Sequence, residues 1–427
     1  MKNDTNNAQT AMKIIANKVI EQSRQLWLTK ENKQIIAQPA NHVSRRRFVL
    51  RSLQGTAGVA VAMMGSAALL GSQPACAQPG KSAQRSVVVA QIVDMSAAHQ
   101  DVAKDFLIGS RAAWQDINSR GGIKGRTVSH QTMEIDGSPA GLRAAWDAVR
   151  NNPDCAAIFG TAADPLATQL DALMRDDGSA ITHVAPWLQN SSLALSRNTF
   201  SAFSSRQEQI VHAFKSLSNM GLKTLAVVFA SPLEQTQNLQ DVERIAKTLG
   251  LALELQPVHT DLRAAGQRIN AASAAVILFI GGTPELAQFT QGLERQARQR
   301  YVVALADVNL QTLQQMGAGK SIPVIVTQAV PLVTSSMPVV RQYREVLAKL
   351  YDEPPTPLSL AGFISARYTF EVMNKMDVGL SRTSVLDAFN RQRDIDIGGF
   401  RVTHVDNRRS STFVTQSMLT QDGRVVG

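Results

Sequence analysis

The stretch "DFLIGSRAAWQDINSRGGIKGRTV", residues 105–128, decides the fold. Apolar residues recur at helical spacing through its first half and the turn before it. They are Val102, Phe106, Ile108, Ala112, Ala113 and Ile117. The pattern ends at Gly121-Gly122, and glycine is typical of a helix C-terminus. The sequence therefore predicts one amphipathic helix that stops at a sharp turn.

A strand is predicted on each side of this helix. "SVVVAQIV" (86–93) precedes it and "TVSHQTMEI" (127–135) follows it. Short runs rich in β-branched residues are typical of buried strands in parallel sheets. The order strand, helix, strand indicates a crossover unit, in which the helix connects two parallel strands.

The same alternation continues along the chain. Further strands are predicted at 155–160, 180–186, 224–230, 251–258, 275–282, 301–307 and 322–328. Helices are predicted at 138–150, 164–176, 205–219, 234–249, 263–272, 284–296, 309–316, 338–351 and 357–376. Such alternation predicts an α/β fold with helices on both faces of parallel sheets. One doubly wound sheet rarely needs this many strands, so we expect two doubly wound lobes.

The chain is expected to pass between the lobes more than once, which gives a multi-strand hinge. The crossings are placed near 198–209 and 329–338. Lobe one is predicted to comprise 85–203 plus 334–395, and lobe two 204–333 plus 396–427. The tail alternates apolar and polar residues, which predicts an antiparallel hairpin with a polar tip at 406–411.

Several motifs resemble one family of exported proteins. The central stretch supplies a helix with Gly109, then Ile117-Asn118 and "GGIKGR" (121–126). Four more follow in collinear order: "EIDGSP" (134–139), "FGTAAD" (159–164), "FSAFSSRQEQ" (200–209) and "FIGGTPELAQFTQGLERQ" (279–296). These motifs resemble the substrate-binding proteins of branched-chain amino acid ABC transporters, with the type I periplasmic binding (Venus-flytrap) fold. The likeness runs from about Arg85 to the C-terminus.

The resemblance implies a monomeric receptor that closes on a small polar solute by hinge motion and delivers it to an inner-membrane ABC permease. It implies neither catalysis nor a cofactor. A second interpretation keeps the fold but makes the protein a periplasmic sensor, or an accessory subunit of a membrane receptor or redox system. A third is an exported enzyme that uses Asp164 or Asp307 as a general base.

Candidate ligand-binding residues follow the strands, because parallel sheets bind small molecules beyond the carboxyl ends of their strands. The candidates are Ser96, Thr161, Asp164, Trp187, Gln189, Glu234, Thr283 and Asp307. The resemblance implies that Asp307 holds a ligand ammonium group. Asp164 stands where the family has Ser, and Gln189 where it has Thr.

These departures count against a plain α-amino acid as ligand, since Asp164 would repel a ligand carboxylate. Two alternatives stay open. Asp164 precedes Pro165 and is also suited to capping a helix. Trp187 is suited either to stacking against a ligand or to packing in the core.

Motifs for other chemistry are missing from the sequence. The histidines after residue 77 are isolated, so no zinc-binding spacing occurs and no metal is expected. No Gly-x-Ser-x-Gly elbow indicates a hydrolase. "MGAGKS" (316–321) lacks the first glycine of a phosphate-binding loop.

The N-terminal segment carries most of the positive charge. The 427-residue chain has a formal net charge of +10, and residues 1–77 hold ten basic and three acidic residues, which is +7 of that total. The remainder is nearly balanced and has no basic patch with interleaved aromatics, so no nucleic-acid partner is indicated.

This segment also has the layout of an export signal. A charge-free run (55–71) follows three arginines and precedes a small-residue cleavage site with Ala75 and Ala77. Its core resembles the twin-arginine motif in Ser44, Arg45, Arg46 and Phe48, with Val49 where leucine is usual. The resemblance implies export by the Tat translocase, removal of 1–77 and a periplasmic location. Only Cys155 would remain, so no internal disulfide is expected.

Overall fold

The structure is a computed structural model, and it describes most of the chain after residue 85. The described ranges are 86–190, 195–294, 296, 298–318, 322–377, 379–392, 394–405, 408–410, 413–420 and 424–427. The predicted twin-arginine motif and cleavage site, with Ser44, Arg45, Arg46, Phe48, Ala75 and Ala77, lie outside the described residues. Across the described ranges, no helix has both the length and the apolar character of a membrane span.

The first sheet has five parallel strands in the order β2-β1-β3-β4-β5. The strands are β1 (Val87–Asp94), β2 (Val128–Ile135), β3 (Cys155–Phe159), β4 (Thr182–Val184) and β5 (Thr199–Phe200). Three helices connect them: α1 (Gln100–Ser119), α2 (Pro139–Asn151) and α3 (Asp164–Asp176). The doubly wound first lobe predicted from the sequence is therefore confirmed.

The second sheet has seven strands in the order β15-β14-β10-β9-β8-β6-β7. Its parallel strands are β6 (Thr224–Phe229), β7 (Ala252–Leu255), β8 (Val276–Ile280), β9 (Tyr301–Ala304) and β10 (Val324–Gln328). The helices that accompany them are α4 (Arg206–Asn219), α5 (Pro232–Thr248), α6 (Leu262–Arg268), α7 (Thr283–Leu293) and α8 (Leu310–Gln315). Two short antiparallel strands, β14 (Thr415–Leu419) and β15 (Val425–Val426), extend one edge.

Three later helices are α9 (Pro338–Leu350), α10 (Pro357–Asn374) and α11 (Arg382–Arg391). Helix α10 packs directly against α1, the helix of the opening motif. The contact is very close, because a Cβ atom at Gly109 would lie 1.7 Å from the carbonyl oxygen of Ser359. Gly362 makes the reciprocal approach, with Phe106 O 2.0 Å from its own would-be Cβ. The glycine of the motif is thus a packing requirement.

The tail contains the predicted antiparallel hairpin, but its second strand is short and the chain beyond that strand pairs elsewhere. Strand β12 (Phe400–Val405) pairs with β11 (Asp394–Ile397) on one side and β13 (Arg408–Ser410) on the other, in a separate antiparallel sheet. Strand β14 pairs with β10 instead. The physical reason is burial: Met418 and Leu419 of β14 lie in the core of the second sheet, where they are 5% and 1% exposed.

Smaller differences concern single elements. The sequence analysis does not predict helix α11 or the short strands β5 and β11. Helix α6 ends at Arg268 rather than at residue 272, because the Asn270 side chain accepts hydrogen bonds from the backbone N–H groups of Ala272 and Ser273 and holds a turn there. The exact lobe boundaries stay a prediction; β11 and β12 bury apolar side chains in the same core as α10.

Candidate functional site

Loops after strands of both sheets line one small cavity. Its volume is about 40 Å³. The wall comprises Ala98, His99, Val102, Ala163, Asp164, Pro165, Arg206, Glu234, Gly281, Gly282 and Asp307. These residues follow β1, β3 and β5 of the first sheet, and β6, β8 and β9 of the second. The cavity thus lies at the carboxyl ends of the strands, where the sequence predicts a ligand site.

Arg206 lies at the centre of the charged wall. Its guanidinium is 2.9 Å from Asp307, 3.3 Å from Glu234 and 3.4 Å from Asp164. The residue is only 5% exposed. Burial alone would lower the pKa of Arg206, but the three carboxylates together raise it. The guanidinium is therefore held as a buried cation among three acids.

Local sequence puts each partner in place. Arg206 begins α4, which is capped by Ser205 and Glu208 in a reciprocal capping box. Glu234 lies in the first turn of α5, where Ser231 Oγ accepts its backbone N–H at 3.2 Å. Asp307 lies in the short loop between β9 and α8.

Asp307 receives three donors. Besides the guanidinium, Trp187 Nε1 donates at 3.1 Å and Gln189 Nε2 at 3.2 Å. The Trp187 ring is 1% exposed, and it packs against Phe106 and Phe203 with ring centroids at 6.0 Å and 5.2 Å. Trp187 therefore belongs to the core of the first sheet while its nitrogen reaches the second lobe.

Asp164 does not cap the helix. It is the first residue of α3, the cap position belongs to Ala163, and no side chain caps that end. Asp164 Oδ1 instead accepts the backbone N–H groups of Gln189 at 2.6 Å and Asn190 at 3.0 Å. Burial raises the pKa of Asp164, although Arg206 opposes the shift. The capping interpretation is wrong, and the carboxylate forms part of the cavity wall.

Glu234 has a comparable environment. Burial raises the pKa of its carboxyl, and the charge of Arg206 counteracts this. Its Oε2 atom accepts a hydrogen bond from Asn238 Nδ2 at 3.0 Å, one turn further along α5. Of the eight predicted residues, Asp164, Glu234 and Asp307 line the cavity, and Trp187 and Gln189 bond to Asp307.

The other three predicted residues bond away from this cavity. Thr161 Oγ1 lies 2.9 Å from His183 Nε2 inside the first sheet. The Ser96 backbone N–H donates to Asp94, whose other oxygen pairs with His99 at 3.0 Å. Thr283 Oγ1 donates to Asp101 of the first lobe at 2.6 Å. The structure thus divides the predicted set between a central cluster and its surroundings.

Sequence reasoning missed Arg206 and Gln209. Gln209 Nε2 donates to Gln189 at 2.7 Å, and Gln209 Oε1 accepts from Ala306 N at 2.9 Å and Thr327 Oγ1 at 3.1 Å. A signal existed for the arginine. A cation in the first helical turn opposes the helix dipole, so it indicates a compensating acidic partner.

A larger cavity of about 510 Å³ has Ala97 and Gln100 in its wall, the chain neighbours of Ala98 and His99 in the wall of the small cavity. It lies between α1, α8 and the turn before α10, so both lobes contribute to its wall. Two cross-lobe hydrogen bonds border it: Thr283 to Asp101, and Asn309 Nδ2 to Asp105 at 3.0 Å. Its size is that of a typical small-molecule pocket.

Metal binding has no support in the part of the chain that the structure describes. No group of three or more His, Cys, Asp or Glu side chains there is arranged to hold a metal ion. His183 is buried and His130 is partly buried, and desolvation lowers the pKa of each to about 4.

A two-lobed α/β protein with a polar cluster between its lobes is of the class that binds solutes by cleft closure. The sequence profile of the periplasmic binding protein family matches residues 86–421. The chain therefore belongs to the periplasmic binding protein family, whose members bind substrates and are not enzymes. No curated protein sequence matches the chain significantly.

Solved structures share the fold at low identity. An extracellular ligand-binding receptor from Verminephrobacter eiseniae is 20% identical, with a TM-score of 0.72, over 80% of this chain and 99% of that one. A substrate-binding periplasmic protein from Ralstonia solanacearum is 19% identical, with the same TM-score and coverage. The branched-chain amino acid transporter substrate binding protein LivJ from Streptococcus pneumoniae, solved with isoleucine, is 13% identical, with a TM-score of 0.66, over 80% and 99% of the two chains. This similarity confirms the predicted type I fold.

Proposed function

We propose that this protein is the substrate-binding component of an ABC transporter. It captures a small polar organic solute between its lobes and delivers the solute to an inner-membrane permease. The observation that carries the proposal is the cross-lobe cluster, in which Trp187 and Gln189 of the first lobe bond to Asp307 of the second. Such a cluster couples the contents of the cleft to its closure.

The cavity at the cluster is too small for the solute as it stands. A volume of about 40 Å³ holds only a few water molecules by the usual measure of ~10–15 Å³ each. The solute must therefore enter an opened cleft, where Asp164, Glu234 and Asp307 are available to it. The polar bonds of the closed form are then exchanged for bonds to the solute.

A thermal-shift screen of the purified protein against small solutes tests this proposal. A ligand at 100-fold its dissociation constant stabilises the folded state by ~2.7 kcal/mol. Hits are repeated on Asp307→Ala and Trp187→Ala, with Asp241→Ala on the outer part of α5 as the control. Stabilisation that survives both site variants shows that the ligand binds elsewhere.

Transport is tested separately, because a sensor would also bind a ligand. Uptake of a labelled hit is compared in cells with and without the protein. Equal uptake would favour the sensor or accessory role.

Export is part of the same proposal. Replacing Arg45 and Arg46 by Lys is expected to keep the protein out of the periplasm if the Tat translocase exports it. Light scattering checks the monomeric state.

A further inference from the structure

The cross-lobe cluster has more negative than positive charge. Three carboxylates, from Asp164, Glu234 and Asp307, share the single guanidinium of Arg206. The formal charges of these three carboxylates and the guanidinium add up to −2. His99 does not change this sum, because the charge of its protonated ring is balanced by Asp94 at 3.0 Å. A buried site with this imbalance favours an additional positive charge.

The pKa values of the acids agree with this imbalance. Burial raises the pKa of both Asp164 and Glu234, and the neighbouring carboxylates add to the shift in each case. Both acids therefore hold their protons more tightly than they do in water. A cation placed among them would lower both pKa values again.

One donor in the same wall is unsatisfied. Arg206 Nε is buried and has no hydrogen-bond partner among the described residues. Its two terminal nitrogens are both occupied by acids. The cavity wall therefore combines excess negative charge with one N–H group that lacks an acceptor, and an unmade hydrogen bond in a buried site is costly.

The wall of the larger cavity also carries an excess of negative charge. Among the described residues of its wall, Asp101, Asp105 and Glu353 are acidic and Lys104 alone is basic. Burial raises the pKa of Asp101 and of Asp105. With a volume of about 510 Å³, this cavity has room for the body of a small organic molecule. Acid-lined clefts also raise the local concentration of cations.

We propose that the interlobe site takes a small organic cation that carries an uncharged oxygen acceptor, such as a protonated amine with an amide or hydroxyl group. The cation lies among Asp164, Glu234 and Asp307, and the neutral oxygen accepts from Arg206 Nε. A carboxylate in place of the neutral oxygen would meet the excess negative charge. The inference rests on the proposed receptor function and specifies its substrate class.

A matched set of ligands separates the two requirements. Leucinamide has both the cation and the neutral oxygen, isoamylamine has the cation alone, isocaproamide has the oxygen alone, and leucine adds a carboxylate. Corresponding sets on the alanine and phenylalanine skeletons allow for the unknown body of the ligand. Calorimetry with the purified protein at about pH 6 keeps α-amino groups protonated, since their pKa is ~7.7–8.0.

The amino amide of at least one skeleton is expected to bind at least ~10-fold more tightly than its amino acid, which corresponds to ~1.4 kcal/mol. The amine alone and the amide alone are both expected to bind more weakly than the amino amide. Tighter binding of any amino acid than of its amide overturns the inference and leaves the receptor function standing. If no member of the sets binds while the general screen yields a ligand, the inference again fails by itself.

A charge-removing variant gives a second readout. Glu234→Gln keeps the shape of the side chain but lowers the charge excess, so the preference for the amino amide over the amino acid is expected to fall several-fold. Glu243→Gln, on the exposed side of the same helix, is the matched control and leaves the preference unchanged. An unchanged preference in Glu234→Gln would contradict the proposed charge selection.

Discussion

The indole nitrogen of Trp187 donates a hydrogen bond to Asp307 at 3.1 Å, and this bond joins the two lobes. Trp187 follows β4 of the first sheet, whereas Asp307 follows β9 of the second. The sequence predicts both as ligand-binding residues. In the structure they are first of all partners of each other, so a ligand that engages Asp307 has to compete with an internal donor.

Replacing Trp187 by Phe is expected to lower the free energy of unfolding through the lost hydrogen bond as well as through the smaller ring. Trp114→Phe is the matched control, because Trp114 is also buried but its Nε1 has no hydrogen-bond partner among the described residues. Urea unfolding should show a loss larger by ~1.5–3 kcal/mol for Trp187→Phe, the usual contribution of a bond to a charged group. Equal losses would mean that the bond to Asp307 adds nothing.

Replacing Arg206 by Met keeps the apolar stem and removes the guanidinium that Asp164, Glu234 and Asp307 share. We expect a loss of ~3–5 kcal/mol in the free energy of unfolding, because the carboxylates are left buried without their counter-ion. Arg244→Met serves as the control. Arg244 is 53% exposed and pairs with Asp241 at 2.6 Å, so its loss should stay below ~1 kcal/mol.

The same variant has an internal check. If the cost comes from uncompensated charge, adding Asp307→Asn to Arg206→Met should restore part of the stability, since one of the three carboxylates is then neutral. If the double variant is instead less stable than Arg206→Met by the full cost of a lost hydrogen bond, packing rather than charge explains the effect.

The fold could be predicted from the sequence because its main signals are local. The apolar spacing of α1 and the paired glycines after it define the first crossover unit, and the same alternation defines both sheets. The tail could not be predicted in the same way. Residues 415–419 could pair with β12 or with β10. In the structure they pair with β10, a strand about 90 residues earlier in the chain. The alternation of apolar and polar residues does not identify such a distant partner.

The candidate site likewise contains residues that local sequence identifies and residues whose role depends on distant contacts. Asp164, Trp187, Gln189, Glu234 and Asp307 could be found because the rule on strand ends needs only the positions of the strands. For Arg206 the sequence offers only its place in a first helical turn, which indicates an acidic partner; it does not show that three acids from the ends of three different strands surround the guanidinium. The helix-capping interpretation of Asp164 failed for a similar reason, since the competing N–H donors belong to the loop after β4.

The pair of His99 and Asp94 predicts a pH dependence. Burial alone would lower the pKa of His99, but the hydrogen bond to Asp94 and its charge outweigh burial and raise the pKa above 6.5. A raised pKa in the folded state means that protonated His99 stabilises the protein below pH 6.5, and this contribution is lost as the pH rises through the folded pKa.

Nuclear magnetic resonance of the imidazole signals measures this directly. His99 is expected to titrate above 6.5 in the native protein, and below 6.5 in Asp94→Asn, where burial is no longer opposed by that charge. His130 is the internal control, because burial lowers its pKa to about 4. A titration of His99 that does not respond to Asp94→Asn would show that the pair does not control the charge.

Gly109 is expected to tolerate no side chain. In Gly109→Ala the new Cβ would meet Ser359 O at 1.7 Å and Phe363 N at 2.9 Å, so α1 and α10 must move apart. We expect a loss of about 3 kcal/mol, at the upper end of the usual cost of overpacking. Gly379→Ala has no atom within 4 Å of the new Cβ, and its unfolding free energy should change by less than ~1 kcal/mol. Similar changes in both variants would contradict the packing role.

Thr283 forms a hydrogen bond between the lobes, and its effect on cleft opening can be measured separately from its effect on the free energy of unfolding. Its Oγ1 donates to Asp101 at 2.6 Å and accepts from Asn309 N at 2.9 Å. In Thr283→Val, Asp101 loses its donor and the Asn309 backbone N–H loses its acceptor. Both groups can be hydrogen-bonded again only if the cleft opens to water. Leaving such buried groups unsatisfied costs ~1–3 kcal/mol, so the closed form should lose about that much relative to the open form.

Solution scattering is expected to show a larger radius of gyration for Thr283→Val than for the native protein. Thr290→Val is the matched control, because Thr290 is equally buried but bonds only to Leu286 O and Ala287 O of its own helix. That variant should lose stability without changing the radius. The same radius in all three proteins would show that the Thr283 bond does not hold the lobes together, and a larger radius in both variants would indicate unfolding rather than opening.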